Sequence, residues 1–96
     1  MSAANAPLRR QVVIVNQRGL HARASAKLVG VVAELPDGVD VRVAKDGNEA
    51  SGGSILGLMM LGAAKGDTIE VIVAGDDAET VLEQVCLLVE DGFGEE

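Results

Sequence analysis

Tryptophan and tyrosine are absent from this chain, and phenylalanine occurs once, at Phe93. The core must therefore be aliphatic, and the hydrophobic share of 48% supplies it from Val, Leu, Ile, Ala and Met. Cysteine also occurs once, at Cys86, so no internal disulfide can form, and this usage fits a reducing compartment. Cys86 lies in the apolar run VCLLV, where a thiol serves as a small buried hydrophobe rather than a nucleophile. With one histidine and no CxxC pair, the sequence offers no metal-ligating cluster and calls for no cofactor. Basic residues are outnumbered, 8 Lys+Arg against 15 Asp+Glu, giving a net charge of -7. That balance argues against a nucleic-acid partner, because phosphate neutralisation needs a basic face. It leaves room for docking on protein partners through a local patch. No apolar run approaches the ~20 residues of a membrane helix. The segment MSAANAPLRRQ has no apolar stretch of signal-peptide length before its arginines. The expectation is a cytoplasmic monomer that engages neither membrane nor nucleic acid. At 96 residues the chain suffices for one domain with one core.

What is present reads as alternating short elements. Residues 1–7 read as a disordered lead closed by a proline. Residues 9–15, RRQVVIV, are β-branched and bounded by Asn16 and Gly19, which predicts a strand. A helix follows over 22–34, with Ala22, Ala26, Val29 and Ala33 on one stripe and Leu28, Val32 and Leu35 beside it. The turn LPDG at 35–38 ends it. VDVRVA at 39–44 alternates as a half-buried strand does, and Asp46-Gly47 is a hairpin turn signal leading into a return strand at 48–51. Ser54 is placed to cap a short helix through ILGLMML, with Gly62 near its C-terminal end. DTIEVIVA at 67–74 reads as a fourth strand. Asp76 and Glu79 are spaced as a capping box with Asp as the cap. Ala78, Val81, Leu82, Val85, Leu88 and Val89 then form an amphipathic stripe that Gly92 stops. FGEE at 93–96 is left as an acidic tail, and 8–92 as the domain. The β-α-β-β-α-β-α order predicts an α+β fold, an open-faced sandwich with helices on one face of the sheet and solvent on the other.

The single histidine, His21, falls at the junction between the first strand and the first helix. The first amides of a helix have no intrahelical acceptor, and with the helix dipole they make a ready anion site. Arg23, in the first turn, has the wrong sign for that dipole unless an anion is bound there, and arginine pairs well with phosphate. Ser25 is placed to add a hydroxyl. Imidazole is a competent covalent nucleophile. Taken alone, a histidine beside a helix start is more often a cap or a packing residue, and an arginine there a surface charge. Gly19 on one side and Arg23 on the other move the balance towards a functional role, which these residues by themselves do not settle.

The segment GLHAR at 19–23, after a strand, resembles the active-site segment of the HPr/NPr family, the histidine-containing phosphocarriers of the bacterial phosphotransferase system. The family form is GLHxRPA. SILGLMMLG at 54–62 is similar to the family's regulatory-serine helix, and the element order matches as well. The resemblance covers about residues 8–92. It implies a four-stranded antiparallel sheet in the order 1-4-2-3, covered on one face by three helices. It implies that His21 takes a phosphoryl group on Nδ1 from phosphorylated enzyme I and passes it to an enzyme IIA-type acceptor, with Arg23 steadying the group. It implies that Ser54 is phosphorylated by an HPr kinase/phosphorylase, although a plain helix cap explains a serine there equally well. The docking surface it implies comprises Ala22, Ala24, Ser25, Ile55, Leu56 and Met59, with Leu58 and Leu61 turned to the core. Ala24 stands where the family has proline; proline would fix the helix start, while alanine remains a strong helix former. Lys27 remains of the lysines with which several relatives meet acidic partners.

Other readings divide on the same residues. A regulatory binding module of the nitrogen-type branch would use the phosphorylation state of His21 or Ser54 to select partners. A small-molecule sensing domain leaves GLHAR unexplained. An independent hydrolase lacks a second base.

Overall fold

A computed structural model describes residues 6–95. In chain order the elements are β1 (Leu8–Val13), α1 (Ala22–Ala33), β2 (Val39–Lys45), β3 (Asn48–Ser51), α2 (Ile55–Met60), β4 (Thr68–Gly75) and α3 (Ala78–Glu90), followed by a 3-10 turn at Gly92–Gly94. The four strands form one antiparallel sheet in the order β1-β4-β2-β3. β4 takes a central place because it is apolar on both faces. Ile69, Val71 and Val73 are buried with Val12 and Val43, their neighbours towards the helices. Ile72, on the opposite face, is buried as well, flanked in register by Arg9 and Arg42. Each fully buried Val, Leu or Ile contributes roughly 1.5–3 kcal/mol. The helices close the core with Leu28, Leu58, Val81, Leu82, Val85, Val89 and the buried thiol of Cys86.

The elements follow the expected order, with differences of physical interest. β1 stops at Val13 rather than at residue 15. Beyond it, Ile14 remains buried, and its amide donates to the Asp67 carbonyl at 2.9 Å. In α1 the buried residues are Ala24, Ser25 and Leu28, and Val29, Val32 and, just past the helix, Leu35 pack against the core. Of the expected stripe only Val29 turns inward; Ala22, Ala26 and Ala33 are exposed, so the alanines are not the inner face. The large residues set the orientation, because alanine buries too little area to compete. The capping box at the start of α3 does not form. Its N-cap is Asp77, in left-handed conformation (φ 53, ψ 33), and makes no side-chain cap hydrogen bond. The cause is the tight exit from β4. Gly75 has φ +111, and a Cβ there would lie 1.9 Å from the Gly38 carbonyl oxygen.

The largest departure is at the C-terminus. The expected tail begins at Phe93, but Phe93 is completely buried and belongs to the core. Gly92 (φ +66) ends α3 and turns the chain back, so that the ring enters the space beside α3 and α1. Phe93 itself adopts φ 58, ψ 27, a conformation that costs a bulky residue of order 1–3 kcal/mol. Burial of the ring offsets that cost. Of the expected lead over 1–7, residues 1–5 lie outside the described residues; Ala6 and Pro7 are exposed. Phe93→Ala is expected to cost about 3–5 kcal/mol in urea unfolding followed by far-UV circular dichroism. A loss below about 1 kcal/mol would show that the ring is not part of the core.

Candidate functional site

The loop from β1 to α1 is built around two residues that cannot be exchanged freely. Gly19 has φ +64, and a Cβ there would come within 2.2 Å of the Ala63 carbonyl oxygen. That close approach lets the Leu20 amide donate to the same carbonyl at 2.9 Å, joining this loop to the segment after α2. Asn16 is buried, and its side-chain amide donates to the Gly19 carbonyl at 2.9 Å and to Glu95 Oε1 at 3.0 Å. Both partners are acceptors, which fixes the orientation of the Asn16 amide.

His21 is the N-cap of α1, in extended conformation (φ -74, ψ -177). The first helical hydrogen bond runs from the Ser25 amide to the His21 carbonyl. The amides of Ala22, Arg23 and Ala24 therefore have no intrahelical acceptor. The Arg23 amide donates to His21 Nδ1 at 3.3 Å. The other ring nitrogen, Nε2, lies 2.6 Å from Glu95 Oε2. Because an amide N–H can only donate, Nδ1 carries a lone pair, and the proton of a neutral ring sits on Nε2, facing the carboxylate. The side chains of His21 and Glu95 are 21% and 17% exposed, so the pair is partly shielded yet open to a partner protein. The His21 hydrogen bond, and after it the one from Asn16, hold the Glu95 carboxyl below its ordinary value of 4.5. Lys27 of α1 donates to the Phe93 carbonyl at 2.6 Å, so this lysine braces the C-terminal turn.

Arg23 is exposed in the first turn beside His21, as expected. Ser25 is not part of an anion site: it is fully buried, and its hydroxyl donates to the Leu20 carbonyl at 3.1 Å. Ala24 is likewise fully buried. Neither Ala24 nor Ser25 belongs to a docking surface, because both face inward from the first turn of α1; Ala22 is exposed. Ser54 caps α2 by accepting the Gly57 amide at 2.9 Å and is half-buried. On α2, Leu58 is fully buried and Leu61 packs against the core. Ile55, Leu56 and Met59 are exposed, and so is Met60, the most exposed of the four at 77%. α1 and α2 pack together, so this apolar surface and His21 belong to one helical layer.

Sequence reasoning missed Asn16, Met60, Phe93 and Glu95. Phe93 could have been found, since a lone aromatic in an aliphatic protein is seldom left in solvent. Met60 could have been found as part of the face opposite Leu58. Nothing in FGEE announces that Glu95 reaches the histidine.

Comparison with known proteins agrees with this geometry. The family model for the PTS HPr component phosphorylation site matches residues 8–91. The chain is 40% identical over 88 residues to the phosphocarrier protein NPr of Shewanella violacea, covering 92% of this chain and 94% of that one. It is 35% identical over 88 residues to the phosphocarrier protein HPr of Cupriavidus necator, covering 92% and 97%. Among solved structures, an HPr from Thermoanaerobacter tengcongensis superposes with a TM-score of 0.84 at 32% identity, over 93% of this chain and 98% of that one. Fold, motif and relatives agree, and the chain belongs to the HPr/NPr family of phosphocarrier proteins of the phosphotransferase system.

Proposed function

We propose that this chain carries phosphoryl groups on His21 Nδ1, taking them from phosphorylated enzyme I and delivering them to an enzyme IIA-type acceptor. The observation that carries the reading is the direction in which the ring is held. Nδ1 faces the N-terminal amides of α1, the positive end of the helix, with its lone pair uncommitted to a proton. In the transfer, that lone pair forms the new N–P bond as the donor's N–P bond breaks. The electron pair of the broken bond stays on the donor nitrogen. The phosphoryl oxygens gain the amides of the first turn and the Arg23 guanidinium, which suits their geometry. The return step is the same exchange in reverse, so the chain is a stoichiometric carrier and not a turnover enzyme. A cytoplasmic monomer without bound cofactor fits this role.

The exposed apolar residues of α2 support a docking role. Ile55, Leu56, Met59 and Met60 form an exposed apolar surface, and its two flexible methionines suit a surface that accepts more than one partner. Ser54, at the head of this helix, is the proposed site of regulatory phosphorylation by an HPr kinase/phosphorylase. A phosphate there keeps the helix capped while adding about -2 charge beside the docking residues. The 40% identity to an NPr also supports the second reading, a regulatory module of the nitrogen-type branch whose phosphorylation state selects its partners.

Incubation with enzyme I, phosphoenolpyruvate and Mg²⁺, read by intact mass before and after mild acid, tests the carrier reading. One acid-labile phosphate is expected on the native chain and none on His21→Ala, whose fold should be unchanged. Full phosphorylation of His21→Ala would sink the assignment. Ser54→Asp is expected to slow phosphorylation of His21 by about tenfold, equivalent to ~1.4 kcal/mol on the barrier. Its stability should change little, because Asp caps a helix as well as Ser does. Unchanged transfer kinetics in stopped-flow or quench measurements would reduce Ser54 to a cap.

A further inference from the structure

Glu95 has no place in the sequence motif, yet it makes the shortest contact of the His21 ring. Its carboxylate is held from two sides: Oε1 accepts from the buried Asn16 amide at 3.0 Å, and Oε2 faces His21 Nε2 at 2.6 Å. The segment that delivers it is fastened independently. Phe93 is fully buried, its carbonyl accepts from Lys27 Nζ at 2.6 Å, and the Glu95 amide donates to the Gly92 carbonyl at 3.0 Å. A side chain two residues from a buried anchor, clamped by a buried amide, is placed with a precision that a solvated acidic tail does not have.

We infer that Glu95 is a positioning residue for phosphoryl transfer, holding His21 in its Nε2–H tautomer so that the Nδ1 lone pair stays available. The inference rests on the carrier reading and deepens it. An ionised carboxylate only accepts hydrogen bonds, so the short contact is satisfied only with the proton on Nε2. The opposite tautomer would place two acceptors face to face at Nε2. It would also turn a proton towards the Arg23 amide, which can only donate. The ring is thus read from both sides, by Glu95 at Nε2 and by the helix amide at Nδ1. The same contact acts after attack. Once Nδ1 has formed its bond to phosphorus, the ring carries a positive charge with Nε2–H unchanged, and the Glu95 carboxylate lies against that charge. No proton has to move during the transfer. The logic is that of a carboxylate orienting a histidine in acyl transfer, with the imidazole itself as nucleophile.

The test uses the full chain with Glu95→Gln and Glu95→Ala. A carboxamide accepts from Nε2–H through its oxygen or donates to a bare Nε2 through its nitrogen, so E95Q removes the discrimination while keeping the shape. Long-range ¹H–¹⁵N correlation spectra of the ring, recorded where His21 is neutral and with no phosphoryl donor present, report the tautomer directly. The native chain should show Nε2 protonated and Nδ1 bare. In E95Q the ratio of Nε2–H to Nδ1–H should fall by roughly fivefold or more, the difference between a charge-assisted and a neutral hydrogen bond. Backbone amide shifts away from residues 16–23 and 92–95 should stay in place. In transfer from phosphorylated enzyme I, kcat should fall in both variants with KM held, because Glu95 is not among the exposed apolar residues of α2. A ratio that does not move in either variant, or a native ring carrying its proton on Nδ1, overturns the inference. A native chain that enzyme I never phosphorylates overturns the carrier reading instead. The ring spectra, recorded without a donor, still decide the role of Glu95.

Discussion

The hydrogen bond from the Leu20 amide to the Ala63 carbonyl, 2.9 Å long, is the joint on which the functional end of the molecule depends. It binds the loop that precedes α1 to the segment that follows α2, two stretches far apart in sequence. It is possible only because residue 19 has no Cβ to collide with the same carbonyl. With that joint closed, Leu20 is buried, His21 falls at the head of α1, and α2 is brought into the same layer. The glycine of GLHAR therefore sets where the histidine stands, and the residues after it set what the histidine meets.

A second set of contacts brings the chain's other end to the same place. The sheet and its helices are closed by residue 90, yet the chain uses its only aromatic side chain three residues later. Phe93 adopts a backbone conformation that costs energy and recovers it by burial, as a cheaper residue could not. Lys27 adds a hydrogen bond to the Phe93 carbonyl. The backbone that carries Glu95 is thus placed by packing, and its carboxylate is then held by Asn16 and His21. This is why an acidic tail on a chain of net charge -7 is drawn against a histidine instead of extending into solvent.

The parts of this arrangement that could be read in advance are those carried by local rules. Alternation in VDVRVA, the Asp46-Gly47 turn, the Ser54 cap and the stripe of α3 each depend on residues a few positions apart, and each appears as expected. The strand order came with the resemblance, since no local rule places β4 between β1 and β2. The errors have the opposite character. Ala24 and Ser25 were expected on the docking surface that the resemblance implies, but a helix turns residues through about 100° each, and these two face the core. Ala22, Ala26 and Ala33 satisfied a helical period that the larger side chains overruled. The Asp76 cap failed because the exit from β4 is governed by contact between Gly75 and Gly38, across the sheet. Glu95 was invisible because its meeting with His21 is set by a ring buried two residues earlier and by an asparagine at the other end of the chain.

Under the proposed carrier role, a carboxylate beside the residue that would accept a phosphoryl dianion looks like an electrostatic conflict, and the geometry resolves it. Glu95 approaches the ring at Nε2, while the phosphoryl group is expected at Nδ1, on the far side of the imidazole. The two anions are separated by the ring, and the positive charge that transfer creates lies between them, nearer to each than they are to one another. Attraction to that charge therefore exceeds the mutual repulsion. On the Nδ1 side stand the amides of the first turn of α1, suited to the incoming oxygens, and Arg23 is exposed in that same turn. The carboxylate is further committed to the Asn16 amide, so its charge is shared with a neutral donor instead of being presented to the approaching partner. An acidic chain can in this way keep a local site that favours phosphate. The overall charge sets how partners are drawn in from a distance, and the ring's two differently occupied nitrogens set what happens on contact.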